Sequence, residues 1–206
     1  MKTKFLHIAT ALLFAGFTSS CSDFLDRYPL DELSDSSFWK TENDAMMAVT
    51  DIYGCLPTWD QDEDINSDNA VHGIKWAAGN ISKGIYDPMD QSWAGSYTPI
   101  RQCNLVLEKV KDIEMSDESR KKIEGQAYFF RAMQLFDLVR VYGAVPVVNK
   151  VLMAADREGA KDYNRESVET CVNQILSDLK EAANLLPTRK EWGSDQYGRL
   201  TKEAAL

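Results

Sequence analysis

The chain has 206 residues, of which 44% are hydrophobic, so it is long enough to bury one sizeable core. Its formal charge is -9, and no cluster of Lys and Arg with interleaved aromatic residues occurs. This argues against a nucleic acid partner, because phosphate binding needs a basic face. His72 is the only histidine after residue 20, which argues against a zinc site and against a histidine-based catalytic triad.

The first 20 residues have the composition of an export signal. Lys2 and Lys4 provide a basic start, and the apolar run 5–17 is too short to span a bilayer stably. Small residues then lead to Cys21, a pattern that resembles a bacterial lipoprotein signal, in which this cysteine becomes the acylated N-terminus. The alternative is an ordinary cysteine after a plain signal peptide. We therefore predict a signal peptide over residues 1–20 and a lipidated tether over residues 21–40.

Helical patterns begin after the tether. Thr41 with Asp44 three residues later predicts a capping box, and apolar residues then repeat at helical spacing until Pro57. From residue 58 to residue 88 this periodicity disappears, and glycines, acids and aromatic residues are mixed. Loops this long in a compact domain are usually functional or disordered, and the aromatic content argues against disorder.

Residues 60–68 of this loop alternate acids as a calcium loop does. However, Ile65 stands where an EF-hand needs its turn glycine, and Val71 stands where it needs a bidentate glutamate. The stretch is therefore not an EF-hand. A solvated acidic loop is the preferred interpretation, and a looser calcium site is the alternative.

A second helical pattern runs over residues 93–110 with Pro99 inside it. The proline predicts either a kink or a new helix that Thr98 caps, with Pro99 at its first position. The longest apolar segment follows, over residues 123–143. Since apolar and aromatic residues occur on every side of it, we predict a hub helix that neighbours enclose, with Ser116 as its N-cap and Gly143 as its stop.

Two arginines, Arg131 and Arg140, lie among the apolar residues of the hub helix. A buried guanidinium needs a carboxylate or carbonyl partner, and the nearest acids along the chain are Asp137 and Glu124. We predict structural ion pairs here in preference to a catalytic role.

A further helical pattern covers residues 168–186 and closes at Pro187. A loop with Trp192 and Tyr197 follows, and Thr201 begins the next helix. The spacing from residue 166 to residue 201 is about 35 residues, the period of helix-turn-helix repeats. The predicted fold class is all-α, with tetratricopeptide-like antiparallel helix pairs and long irregular loops.

Three cysteines remain after Cys21, and an odd number in an exported chain forbids complete internal pairing. They are Cys55, Cys103 and Cys171, and each lies in a helical pattern beside apolar residues. Three buried thiols, or one disulfide with one free thiol, are both open.

Four segments of the chain, taken in order, carry a resemblance to a known family. They are Cys21-Ser22-Asp23-Phe24-Leu25-Asp26, the Trp, Tyr, Ile and Cys-Asn register of residues 93–104, residues 130–146 from Phe130-Arg131-Ala132 to Val145-Pro146, and residues 178–187 before Gly198-Arg199-Leu200-Thr201. In these segments the chain resembles the RagB/SusD family of outer-membrane nutrient-binding lipoproteins from Bacteroidetes. Members of this family are much longer, so we expect residues 41–206 to be a SusD-like helical domain truncated at the C-terminus.

The resemblance implies a lipid-anchored, surface-exposed outer-membrane protein that is not an enzyme and needs no cofactor or metal. Such a protein captures a glycan or oligopeptide and delivers it to a SusC-type TonB-dependent transporter. In starch-binding relatives part of the sugar site lies between the first helix and the Trp-Tyr-Ile helix. The corresponding stretch here offers two tryptophans, an amide, an amine and a tyrosine: Trp59, Lys75, Trp76, Asn80 and Tyr86.

Aromatic rings stack on the C–H face of a sugar while amide and amine groups hydrogen-bond its hydroxyls, so this set suits a glycan. For Trp76 the alternative is simple loop packing. Two other function classes are alternatives for the whole chain. One is a helical-repeat module that binds protein or peptide. The other is an exported hydrolase with paired carboxylates, which is disfavoured because no acid lies in an apolar context and no nucleophile elbow occurs.

Overall fold

The structure, a computed structural model, describes residues 38–56, 84, 93–152, 161 and 163–206. Apart from Phe38, all of these lie in one compact unit, Trp39–Leu206. The predicted signal peptide, Cys21 and most of the tether lie outside the described residues, as does the acidic stretch 60–68. Among the helices that the structure describes, none is both long and apolar enough to cross a membrane.

The described part of the chain is helical and contains no strand, which confirms the predicted all-α class. Its elements are α1 (Glu42–Ile52), a 3-10 turn (Tyr53–Cys55), α2 (Trp93–Lys109), the hub helix α3 (Asp117–Tyr142), α4 (Val168–Leu185), α5 (Arg189–Trp192) and α6 (Lys202–Ala205). Helix α3 packs most extensively against α4 and α2.

Both predicted ends of the hub helix are confirmed. Ser116 Oγ accepts from the backbone N–H of Ser119 at 3.1 Å, which satisfies one free donor of the first turn. At the other end, Gly143 adopts a φ of 69°, and its N–H donates to Val139 O. A positive φ is open to glycine without a steric cost, so the helix ends where the sequence places this residue.

The enclosure of the hub helix is confirmed for its centre and wrong for its last turns. No residue from Lys122 to Leu135 is exposed, whereas Phe136 is 54% exposed and Val141 is 45% exposed. In these turns the buried residues Leu135 and Leu138 lie on one side of the helix, so the other side faces solvent.

The helices before and after the loop test two further predictions, the capping box of α1 and the effect of Pro99 on α2. The capping box forms, since Thr41 N–H donates to Asp44 Oδ2 at 2.7 Å and Asp44 N–H donates to Thr41 Oγ1. Helix α2 continues through Pro99, so the alternative of a new helix that Thr98 caps is wrong. Trp93, Tyr97 and Ile100 pack into the same cluster on both sides of the proline, and this tertiary packing outweighs the local preference.

Helix α4 forms where it was predicted. Its apolar pattern matches the buried side from Ile175 onward, where Ile175, Ala182 and Leu186 are buried, whereas Val168 and Val172 in the first turns are exposed. The buried side also contains the carboxylate of Asp178. Trp192, which was predicted in a loop, lies instead in the short helix α5 and is buried.

The core surrounds the hub helix in two main clusters. The first joins α3 to α1 and α2 through residues such as Val49, Ile52, Val106, Ile123 and Phe130. The second joins α3 to α2 and α4 through Ile100, Leu135, Leu138 and Ile175. Cys55, Cys103 and Cys171 are all free thiols, with Cys55 half-buried and the other two buried. The structure therefore contains three thiols and no disulfide between these cysteines.

Candidate functional site

The five predicted ligand residues, Trp59, Lys75, Trp76, Asn80 and Tyr86, lie outside the described residues, as does the predicted lipidation site Cys21. The structure describes the frame on either side of their loop. On one side the frame is the 3-10 turn after α1, and on the other side it is the start of α2. These two elements fix where the predicted loop leaves the helical domain and where it returns.

Tyr53 anchors the side from which the loop leaves. Its hydroxyl donates to Gln126 Oε1 at 2.6 Å and accepts from the backbone N–H of Leu200 at 2.9 Å. The ring meets Phe130 edge to face at 4.7 Å between centroids, and the Arg199 guanidinium lies over it at 5.4 Å. Burial raises the pKa of this phenol above its usual value. One side chain therefore ties the 3-10 turn to the hub helix and to the segment before α6.

Trp93 anchors the side on which the loop returns. Its ring meets that of Tyr142 edge to face at 4.8 Å, and the Arg165 guanidinium lies over it at 5.1 Å. One helical turn later, Tyr97 donates its hydroxyl proton to Pro146 O at 2.7 Å. Burial raises the pKa of the Tyr97 phenol to about 12. The first turn of α2 is thus held by the end of the hub helix and by the segment that follows it.

A hydrogen bond also joins the two helices that flank the loop. Gln102 Nε2 in α2 donates to Asp51 Oδ2 in α1 at 3.1 Å. Asp51 lies two residues before Tyr53, so this contact braces the same end of α1 that the tyrosine anchors. The two helices on either side of the loop are therefore directly connected.

Beneath this frame lies a buried polar network centred on Arg131. Its guanidinium donates twice to Asp178, from Nε to Oδ2 at 2.7 Å and from Nη2 to Oδ1 at 2.6 Å, and once from Nη1 to Asn104 Oδ1 at 2.8 Å. Gln174 Nε2 adds a bond of 2.9 Å to Asp178 Oδ1. The side chains of Arg131 and Asp178 are only 9% and 2% exposed, so the ion pair is buried.

This network corrects the predicted partner of Arg131, which is Asp178 on α4 rather than Asp137 or Glu124. Asp137 and Arg131 lie six residues apart on one helix, on different faces. Arg140 does approach Asp137, at 3.6 Å, as predicted, and that pair is largely exposed. Both arginines therefore form ion pairs, and every buried side-chain polar atom of the described residues has a hydrogen-bond partner.

Asn104 extends the network to the chain segment after the hub helix. Its Nδ2 donates to Val148 O at 3.0 Å and to Lys150 O at 3.1 Å, and Tyr97 and Arg165 donate to Pro146 O and Ala144 O. Four alternate carbonyls, from 144 to 150, therefore accept bonds from side chains. Such alternation is typical of an extended backbone, here held by side chains instead of a neighbouring strand.

A family model described as "Starch-binding associating with outer membrane" matches residues 23–206. The chain belongs to this SusD-like family. The match runs through both loop anchors and the buried network. It confirms the family that the sequence motifs indicated.

Two curated relatives illustrate the range of similarity. A SusD-like protein P38 from Formosa agariphila is 28% identical over 87% of this chain and 37% of its own length. A SusD-like protein from Bacteroides ovatus is 26% identical over the whole chain and 38% of its own length. The chain thus spans about two-fifths of the length of the curated relatives that it matches.

Solved structures agree with the fold. The crystal structure of a SusD-like protein from Bacteroides fragilis is 27% identical and has a TM-score of 0.71, covering 87% of this chain and 36% of that one. A laminarin binding SusD-like protein has a TM-score of 0.69 at 21% identity, covering 81% of this chain and 38% of that one. At that identity the likeness concerns the fold alone.

The buried network of the SusD-like frame contains two side chains that the sequence did not single out as partners of Arg131, Asn104 and Asp178. Both occupy helical positions between apolar residues, Asn104 next to Cys103 and Asp178 three residues after Ile175. A polar residue at a core position of an amphipathic helix is the signal that would have identified them. The network as a whole is fully paired, so it can position neighbouring segments but offers no unpaired acid or base.

Proposed function

We propose that this SusD-like protein is an outer-membrane surface lipoprotein that binds glycan and delivers it to a SusC-type TonB-dependent transporter. The observation that carries the proposal is the match of residues 23–206 to a family described as starch-binding and associated with the outer membrane. The proposal is of a binding protein rather than an enzyme. The laminarin named for one relative of the same fold supports a glucan or related glycan as the first ligand to test.

The frame supports this proposal through preorganisation. A loop that binds a sugar gains affinity when its ends are already fixed, because less conformational entropy is lost on binding. Tyr53 and Trp93 hold the two ends through hydrogen bonds and ring contacts on the hub helix and its neighbours. We propose that the loop between them presents Trp76 and Tyr86 for stacking and Asn80 and Lys75 for hydroxyl contacts.

Cys21 is the proposed lipid site. Acylation of this cysteine after removal of residues 1–20 would tether the helical domain to the outer membrane. Metabolic labelling with an alkynyl fatty acid tests this directly. Label should enter the native protein and be absent from Cys21→Ala, and equal labelling of both proteins would exclude this site.

Affinity electrophoresis of the full-length protein, purified in detergent, tests the glycan proposal. Native gels would contain starch, laminarin, or plant and host glycans in turn. We expect one glycan class to retard the wild-type protein. Trp76→Ala should weaken that retardation, whereas Trp76→Phe, which keeps an aromatic face, should retain most of it.

A control separates binding from folding and from transporter contact. Trp39→Phe changes a half-buried tryptophan of the first core cluster and should leave retardation unchanged. Co-purification of the transporter with wild type and with Trp76→Ala tests the delivery step, and both proteins should retain it. Absence of retardation by every glycan would overturn the sugar proposal.

A further inference from the structure

The turn between α5 and α6 carries an aromatic side chain that the proposed loop site does not use. Tyr197 is 86% exposed, although the described residues around it are firmly anchored. An exposed ring on a fixed turn differs from an exposed ring on a frayed end, because its orientation is set in advance.

The base of this turn is held from both sides. Trp192 is buried, and its indole N–H donates to Leu200 O at 2.8 Å across the turn. The backbone N–H of Lys202 donates to Pro187 O at 2.9 Å, which closes a wider ring around the same residues. Gly193 and Gly198 adopt φ values of 81° and 95°, so the reversals of the chain fall where no Cβ opposes them.

Arg189 fixes the ring itself. Its guanidinium lies 4.6 Å from the ring centroid of Tyr197, and its Nη1 donates to Gln196 O at 3.3 Å. The backbone N–H of Arg189 donates to Glu203 Oε2, which ties the stacking residue to α6. Since the guanidinium covers one face and the ring remains 86% exposed, the opposite face is open to solvent.

Two hydrogen-bonding side chains directly precede Tyr197 in the same turn. The Asp195 carboxylate and the Gln196 amide are neighbours, with Gln196 Nε2 donating to Asp195 Oδ2 at 3.4 Å. Arg199 Nε donates to Gln196 Oε1 at 3.4 Å. An apolar aromatic face beside a carboxylate and an amide matches the two surfaces of a pyranose, its C–H face and its hydroxyls.

The turn also adjoins the end of α1 from which the predicted loop leaves. Arg199 Nη1 donates to Thr50 Oγ1 at 2.9 Å, and Leu200 N–H donates to Tyr53, the loop anchor. The turn that carries Tyr197 is therefore tied to the end of α1 from which the predicted loop leaves.

We propose that Tyr197, with Asp195 and Gln196, forms an additional contact surface for a neutral sugar ring. The proposal rests on the proposed glycan-binding function and adds a subsite outside residues 58–88. Tyr197 stacks on the sugar, Asp195 accepts bonds from its hydroxyls, and Arg189 holds the ring in place.

The test measures dissociation constants by affinity electrophoresis with the glycan that retards the full-length wild-type protein most, beginning with laminarin and starch. Tyr197→Ala should weaken binding about two- to tenfold, the range expected for one aromatic stacking contact. Tyr197→Phe keeps the ring and should bind within about twofold of wild type. Leu176→Ala removes another exposed apolar side chain, on α4, and should have no effect.

The outcomes are distinguishable. Unchanged binding by Tyr197→Ala, while Trp76→Ala weakens it, would overturn the additional surface and leave the proposed function intact. Failure of the wild-type protein to bind any glycan would overturn both. Because the side chain is so exposed, thermal unfolding of Tyr197→Ala should match wild type, and a large fall in its midpoint would assign the residue a structural role instead.

Discussion

Phe130 and Arg131 are adjacent on the hub helix yet belong to two interfaces of opposite character. Phe130 is fully buried in the apolar interface, where α3 meets α1 and α2 through Val49, Ile52 and Val106. Arg131 belongs to the ionic interface, where α3 meets α4 and α2 through Asp178, Gln174 and Asn104. The apolar interface requires side chains of suitable size, whereas the ionic interface requires one particular set of partners.

The difference lies in what happens when one member is lost. An apolar truncation removes contact area and leaves a cavity, and neighbours relax into part of it. Loss of one charge from a buried pair leaves the other charge desolvated without a partner. We infer that the ionic interface sets the register between α3 and α4 and, through Asn104, the position of residues 148–150.

The largest expected effect comes from breaking the ionic interface. Asp178→Ala should lower the free energy of unfolding by about 3–5 kcal/mol, because it leaves the Arg131 guanidinium buried and unpaired. Urea denaturation followed by circular dichroism measures the change. The matched control is Asp137→Ala, which breaks the exposed pair with Arg140 and should cost at most about 1 kcal/mol.

Equal costs for Asp178→Ala and Asp137→Ala would contradict the contrast between a buried and an exposed ion pair. A double variant, Asp178→Ala with Arg131→Met, sharpens the comparison. It removes the unpaired Arg131 guanidinium, so it should recover part of the lost free energy of unfolding even though it replaces a second side chain. No recovery would mean that packing, and not charge, dominates at this interface.

These two interfaces also mark how far the sequence could predict the structure. Helix existence, the Ser116 and Thr41 caps and the Gly143 stop follow from local chemistry, which acts within a few residues. The partner of Arg131 does not, because Asp178 is 47 residues away and reaches it only through the pairing of α3 with α4. The acids nearest in sequence were therefore the wrong prediction for that arginine.

The same limit applies to the faces of helices and to the candidate site. Val172 belongs to the apolar pattern of α4 and is exposed, whereas Asp178 on the same helix is buried. The position of Asp178 three residues after Ile175 marks it as a core position, but the pattern does not identify the cation on another helix that pairs with it. The anchors Tyr53 and Trp93 lie in predicted helical patterns, but their partners come from the distant residues Leu200 and Tyr142.

A second prediction tests the steric fit, rather than the charge pairing, between the hub helix and the residue that follows α4. A Cβ added at Gly125 would lie 2.9 Å from Leu186 Cγ and 3.1 Å from Leu186 N, closer than ordinary contacts. Gly125→Ala should therefore destabilise the protein by about 1–3 kcal/mol through overpacking, despite the better helix propensity of alanine. Thermal and urea unfolding measure the loss.

Gly54 provides the control for this substitution. Nothing lies within 4 Å of the position that its Cβ would occupy, so Gly54→Ala should leave stability unchanged or slightly raised. If Gly125→Ala proved as stable as Gly54→Ala, the contact with Leu186 would be looser than the structure indicates.

The smallest expected effect concerns alkaline pH at the edge of the second core cluster, where Tyr97 donates to Pro146 O. Burial raises the Tyr97 pKa from about 10 to about 12, while the nearby Arg165 opposes the shift. The folded state therefore holds this proton more tightly than the unfolded chain. The resulting stabilisation is complete below pH of about 10 and declines as pH rises through about 12. Urea unfolding at pH 8, 10 and 11 should show this decline.

Tyr97→Phe should reduce that decline, at the cost of about 0.5–1.5 kcal/mol at pH 8 for the lost hydrogen bond. Some alkaline sensitivity should remain, because burial also raises the pKa of Tyr53 and Tyr128. If Tyr97→Phe lost stability as steeply as wild type between pH 10 and pH 11, the alkaline sensitivity would belong to the other buried phenols, Tyr53 and Tyr128, and not to Tyr97.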